Sequence, residues 1–192
     1  MGSIDLKDAY YSISIYSDHQ KYLKFSWGNK LDQFTCLAQG HACGPRLFAK
    51  RMKSVFAFLR ERGNLTSGYL DDSVLAGYSY SECQSNFLDT INLLKVLGVY
   101  PHENKSVTSP TQIIQHLGFV LNFIEMNVSM TDAKIAKLTE TTRIILSKTG
   151  VGILLVAKLI GHIVSCFPAV EFGEQLNRQV EIDKSTALKA AK

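Results

Sequence analysis

An α+β fold, with an antiparallel sheet and helices packed on one of its faces, is what the punctuation of this chain predicts. Two tight-turn signals carry the prediction: Gly28-Asn29-Lys30 lies between two β-rich runs, and Tyr69-Leu70-Asp71-Asp72 lies between two more. A stretch of helical apolar periodicity follows each of them. Strand pairs joined by tight turns build antiparallel sheets, and helices alternating with such pairs cover one face. A chain of 192 residues, 46% hydrophobic and 20% charged, is long enough to bury one sizeable core and a small appended unit.

The elements follow in order. Ser3 to Ile13 reads as a β-rich run in which Ile4, Leu6 and Ile13 face a core while Asp5 points to the opposite face. Tyr22–Trp27 and Gln33–Leu37 flank the first turn. Phe48, Met52, Val55, Phe56 and Leu59 repeat at helical spacing over Pro45–Arg62, with the proline in the first turn where it costs no hydrogen bond. Leu65–Gly68 and Ser73–Gly77 are short strands around the acidic turn. A second helix is expected over Ser81–Leu97, with Ser79 and Glu82 spaced as a capping box and Gly98 placed to stop it. Its buried face is Cys83, Phe87, Ile91 and Leu94. Strands around Leu117–Phe123 and Met126–Met130 precede a helix that Thr131 caps and that carries Ile135, Leu138 and Ile145. Gly150-Val151-Gly152 is the best linker, and after it Leu155, Leu159, His162, Ile163 and Cys166 share one helix face.

The chemistry concentrates in carboxylates. Asp71 and Asp72 stand side by side at a hairpin tip, where two negative charges repel unless something cationic lies between them. An acidic turn facing water is the bland alternative. Should the Asp5 strand lie beside this hairpin, Asp5, Asp71 and Asp72 form a cluster of hard oxygen donors suited to Mg²⁺, which keeps other positions for water and phosphate. Two such ions about 4 Å apart serve an in-line displacement at phosphorus.

Along most of the chain, from about residue 3 to residue 187, the motifs SIDLKDAYYSI, QFTCLAQGHACGPRLFAKRM, GYLDDSVLAG, LLKVLGVYPHENKS and HLGFVL occur in an order that resembles the palm of reverse transcriptases. The likeness is closest to retrotransposons, and VAKLIGHIVSCFPAVEFG resembles the segment after the palm in tyrosine-recombinase (DIRS-like) elements. The resemblance implies an RNA-directed DNA polymerase that joins deoxynucleoside triphosphates (dNTPs) to a primer 3′-OH on an RNA or DNA template, with two Mg²⁺ ions or Mn²⁺ in their place. It assigns metal binding and catalysis to Asp5, Asp71 and Asp72, and a general-acid role toward pyrophosphate to Lys105. Asp8, Ala9 and Tyr10 match nucleotide-binding positions, Tyr10 being the aromatic that excludes a 2′-hydroxyl. Gln39 and Gly40 match the loop touching nucleotide and template, and Leu117, Gly118 and Phe119 match the primer grip.

Departures accompany the likeness. Ala38 stands where most retrotransposon relatives carry proline, and Gly44 adds freedom where the helix begins. His102-Glu103-Asn104-Lys105 replaces a pattern usually nearer Asn-x-Glu-Lys. The first matching carboxylate is already residue 5. The expectation is therefore a palm with a short fingers hairpin over 1–130 and a partial helical thumb or connection-like segment over 131–192, the fingers being largely absent. The competing function is an inactive retroelement remnant that at most binds nucleic acid. A palm-like nucleotide cyclase stands third, because it leaves the primer-grip motif without purpose.

Net charge is only +4, but Lys50, Arg51, Lys53, Arg60 and Arg62 gather on one expected helix and Lys134, Lys137, Arg143 and Lys148 on another. Such stripes either contact phosphates, with salt-dependent affinity, or keep helix faces solvated. Cys36, Cys43, Cys83 and Cys166 lack C-x-x-C spacing, which argues against zinc and for reduced thiols in an intracellular setting, cytoplasmic or nuclear. The apolar stretch 151–170 carries Lys158, His162 and Pro168, so it reads as a packed helix with no membrane partner.

Overall fold

A computed structural model of the chain describes residues 1–190. They divide into two compact units, Met1–Thr111 and the residues from Gln112 onward.

The first unit is built on a four-stranded antiparallel sheet. Its strands are β1 (Gly2–Lys7), β4 (Leu65–Tyr69), β5 (Asp72–Ala76) and β6 (Tyr100–Pro101), in the order β4-β5-β1-β6. A separate hairpin of β2 (Lys24–Trp27) and β3 (Lys30–Gln33) turns through Gly28 and Asn29, both at positive φ, the geometry that matches strand twist. The short helix α1 (Ser17–Gln20) precedes it. Helices α2 (Gly44–Glu61) and α3 (Tyr80–Val96) supply most of the core, where Phe48, Met52, Val55, Phe56, Leu59, Cys83, Phe87 and Leu94 meet Ile4, Leu6 and Leu75 of the sheet. Both helices thus cover one sheet face, as the apolar spacing predicts.

Local chemistry explains the boundaries. Ser79 caps α3, its hydroxyl accepting from the Glu82 N–H at 3.2 Å, while the Glu82 carboxylate accepts from the Tyr78 N–H at 3.0 Å. The predicted capping box is present with its return bond moved one residue earlier. Gly98 ends the helix at φ 73°. The run expected to stay extended as far as Ile13 is strand only to Lys7. Asp8 then enters the left-handed region at φ 51° and starts a 3₁₀ turn over Ala9–Ser12. The basic stripe on α2 is partly committed to the protein itself. Arg51 donates to the carbonyls of Ser12 and Leu97, Arg60 donates to that of Thr66, and Arg62 lies over the Phe58 ring.

The second unit has a three-stranded antiparallel sheet, β7 (Ile113–His116), β8 (Phe119–Asn122) and β9 (Asn127–Met130), followed by α4 (Asp132–Leu146), α5 (Ile153–Val164) and α6 (Gly173–Ala190). The strand expected from Leu117 is interrupted: Leu117 and Gly118 form the turn between β7 and β8, at φ 50° and 78°. Thr131 stands at the N-cap of α4, yet its hydroxyl donates to the Gly118 carbonyl and caps no helix N–H. Ile135 on α4 is exposed, whereas Leu159 of α5 and Cys166 just beyond its end are buried, as their expected shared helix face predicts. Among the described residues, no helix is long and apolar enough to cross a membrane.

Between α4 and α5, the Thr141 hydroxyl donates to the Lys137 carbonyl and meets His162 Nδ1 at 3.1 Å. Burial, then the Lys137 and Lys158 charges, push His162 below its usual 6.5. A depressed histidine contributes stability that is present above pH 6.5 and lost as pH falls through its folded value. Urea midpoints should therefore drop on acidification below pH 6.5, and His162→Gln should remove part of that drop.

Candidate active site

The carboxylates come together through strand register. In the β1–β5 ladder Asp5 is the direct partner of Asp72, and in the β4–β5 ladder Asp72 is the partner of Tyr69. Side chains opposed in an antiparallel pair share a face at about 4.5–5.5 Å between Cβ atoms. Leu70 and Asp71 make the two-residue turn, with Leu70 at φ 55°. Asp71 is exposed and its carbonyl accepts from the Leu6 N–H at 2.8 Å, tying the turn to β1. Two facing like charges disfavour a strand pair, so this arrangement spends stability that a structural role alone does not require.

One cation stands close by. Lys105 Nζ lies 4.0 Å from Asp5 Oδ1, and the Lys105 side chain is 63% exposed. Its loop is pinned to β1: the His102 N–H donates to the Asp5 carbonyl at 2.7 Å, and the Ser106 hydroxyl accepts from the Asp5 N–H at 3.2 Å while donating to the His102 carbonyl at 2.9 Å. On the other side of Asp5, the buried Ser73 hydroxyl donates to the Ile4 carbonyl at 3.1 Å. Sequence reading missed Ser73 and Ser106. A serine at an alternating inward position next to Asp72 was the available signal for the first; the second carries none, because its partner is 101 residues away.

Tyr10 joins the group. Its ring packs on Phe48 with centroids 5.5 Å apart, and Gly44 lies against it, a Cβ there standing 3.7 Å from the ring. Burial, then the Asp71 charge and Tyr69, raise its phenol above the usual 10.0. Ala9 is buried, and Asp8 is exposed at the head of the 3₁₀ turn. Gln39 and Gly40 occupy an exposed turn ahead of α2, with Gly40 at φ 84°. Leu117, Gly118 and Phe119 belong to the second unit, where Lys134 Nζ sits 3.7 Å above the Phe119 ring.

As a donor set, three carboxylates suit a hard divalent cation. Among the described residues, however, no three His, Cys, Asp or Glu side chains converge closely enough to hold an ion. The backbone fixes an opposed pair, Asp5 and Asp72, with Asp71 beside them on the turn. That is compatible with Mg²⁺, which takes only one or two protein carboxylates and completes its shell with water and phosphate.

Comparison with known proteins agrees with this frame. Residues 1–121 match the family model described as reverse transcriptase (RNA-dependent DNA polymerase), and the chain belongs to that family. It superposes on foamy viral protease-reverse transcriptase dRH in complex with ds DNA at a TM-score of 0.75 and 20% identity, covering 96% of this chain and 30% of that one. The foamy viral protease-reverse transcriptase in complex with an RNA/DNA hybrid gives 0.72 and 20%, with 96% and 24% covered. The same protein with dsDNA gives 0.74 and 19%, with 96% and 36% covered. This chain thus spans about a third or less of the length of those proteins, and at such identity the likeness shows the fold. No curated protein matches it in sequence.

Proposed function

We propose that this chain is the palm and partial thumb of an RNA-directed DNA polymerase from a retroelement, of the DIRS-like group that the segment Val156–Gly173 resembles. The observation that carries the reading is the register Asp5↔Asp72 with Asp71 in the adjoining turn and Lys105 at 4.0 Å. Residues 1–130 serve as palm with the β2–β3 fingers hairpin, and 131–192 as thumb. The β7–β9 sheet, structurally part of the second unit, contributes the primer grip through Leu117, Gly118 and Phe119. The partners are template–primer and dNTPs, and the four free cysteines suit a reducing intracellular setting, cytoplasmic or nuclear.

In mechanism, Asp5, Asp71 and Asp72 are the residues that would hold Mg²⁺, or Mn²⁺, and the bound ions would supply Lewis-acid activation of the primer 3′-OH and charge neutralisation of the triphosphate. Tyr10, backed by Phe48, closes the space a 2′-hydroxyl would need. Lys105, exposed and beside Asp5, gives a proton to the departing pyrophosphate. Asp8, Ala9, Gln39 and Gly40 contact the nucleotide and template.

Primer extension on poly(rA)/oligo(dT) with Mg²⁺ and dTTP tests this. Incorporation is expected, and Tyr10→Val should raise the use of ribonucleotides relative to deoxynucleotides by about tenfold or more, since a steric exclusion is being removed. Template–primer binding without any incorporation would favour the inactive-remnant reading.

A further inference from the structure

Asn86 lies on the inner side of α3 at 2% exposure, where an amide is costly unless its polar atoms are bonded. Its Nδ2 donates to the Leu65 carbonyl at 2.9 Å and to the Ala76 carbonyl at 3.0 Å. Thr90, fully buried one turn on, donates its hydroxyl to Asn86 Oδ1 at 3.2 Å. Leu65 and Ala76 are the pair at the open end of the β4–β5 ladder, and Tyr69 and Asp72 are the pair at its turn.

We propose that Asn86, oriented by Thr90, is the register lock of the hairpin that carries Asp71 and Asp72, a positioning residue that keeps Tyr69 opposite Asp72 and so holds both carboxylates in place at the turn. The proposal rests on the reading of those carboxylates as ion ligands.

Register is normally set by a buried apolar stripe, and a slip of one residue turns every side chain to the other face. Strand β4, Leu-Thr-Ser-Gly-Tyr, has no such stripe: only Thr66 is buried, and Leu65 and Tyr69 are exposed. A slip would place Ser73 opposite Tyr69 in the turn pair and move Asp72 out of the β4–β5 ladder into the turn. Asn86 supplies what the apolar pattern lacks, because its two donors require one carbonyl from each strand. Sliding β4 by one residue moves its carbonyl about 3.4 Å, out of hydrogen-bond reach, and orphans a buried donor. The height of Asn86 is itself fixed, since α3 begins so close to β5 that a Cβ on Gly77 would fall on the Cys83 backbone.

The test uses ¹⁵N-labelled full chain, wild type against Asn86→Leu, which keeps the volume without the donors, and Thr90→Val, which keeps the amide but frees it. Three readouts are taken: amide exchange in β4–β5 against the α2 core, cross-strand NOEs at Tyr69–Asp72, and Mn²⁺ broadening of Asp5, Asp71 and Asp72. Asn86→Leu should speed hairpin exchange by about tenfold relative to α2, the scale of one lost hydrogen bond. It should also weaken the NOEs and lower Mn²⁺ affinity at Asp72 by about tenfold while Asp5 is still broadened. Thr90→Val should shift all three the same way by less, and it decides the matter if Asn86→Leu does not fold. Equal acceleration in hairpin and α2, or unchanged NOEs and broadening, would overturn the lock. Wild-type chain showing no Mn²⁺ broadening at Asp71 and Asp72 would refute the ion reading, and the exchange and NOE data would then decide the lock by themselves.

Discussion

If Asp71 and Asp72 are the ion ligands proposed above, Asp71→Asn combined with Asp72→Asn should abolish dTTP incorporation on a primed template, by about 10³-fold or more, because their loss would remove several kcal/mol of transition-state charge stabilisation. The fold should survive, and its melting temperature should hold or rise. Asp71 is exposed on the turn, and Asp72 faces Asp5 as a like-charge cross-strand pair. Neutralising one member relieves a repulsion worth roughly 0.2–1 kcal/mol. Activity that falls while stability holds separates a functional pair from a structural one. Parallel primer-extension and thermal-melt measurements check both halves, and a marked drop in melting temperature would point to a structural role instead.

Phe48→Ala should be the most destabilising single truncation in the first unit, at about 3–5 kcal/mol. The side chain is fully buried at the centre of the cluster joining α2 to the sheet, and its ring backs Tyr10 at 5.5 Å. Its removal therefore leaves a cavity directly beneath Tyr10, the residue proposed to close on the sugar. Leu47→Ala, one position earlier on the same helix and 44% exposed, should cost under about 1 kcal/mol. Denaturant titration of the two variants gives the contrast. Similar losses for both would mean that α2 does not pack as described.

How much was legible in the sequence depended on where each signal resides. The core faces of α2 and α3 were readable because Phe48, Met52, Phe56, Leu59, Cys83, Phe87 and Leu94 repeat at helical spacing, and all of them are buried. The Ser79–Glu82 cap was readable because its partners are close in sequence. Strand β6 was not, since two residues have no periodicity and Tyr100 and Pro101 are extended only through pairing with β1. Leu117 misled because leucine in the left-handed region runs against intrinsic preference, so a turn read as strand. Asn86 and Thr90 were passed over on α3 because polar residues on an inner face look like outward ones until their partners on β4 and β5 are seen. For the site, the sequence placed Asp71 and Asp72 at a turn, but the pairing of Asp72 with Asp5 is a non-local fact that only the sheet order β4-β5-β1-β6 supplies.

The most direct test of the central claim is anomalous diffraction from crystals of the chain grown with Mn²⁺, dTTP and a template annealed to a 3′-deoxy primer. The account predicts Mn²⁺ peaks within coordination distance, about 2.0–2.2 Å, of carboxylate oxygens of Asp5, Asp71 and Asp72, with the triphosphate completing the shell. An ordered triphosphate whose Mn²⁺ is bound elsewhere, with Asp5 and Asp72 still paired only to protein groups, would contradict it.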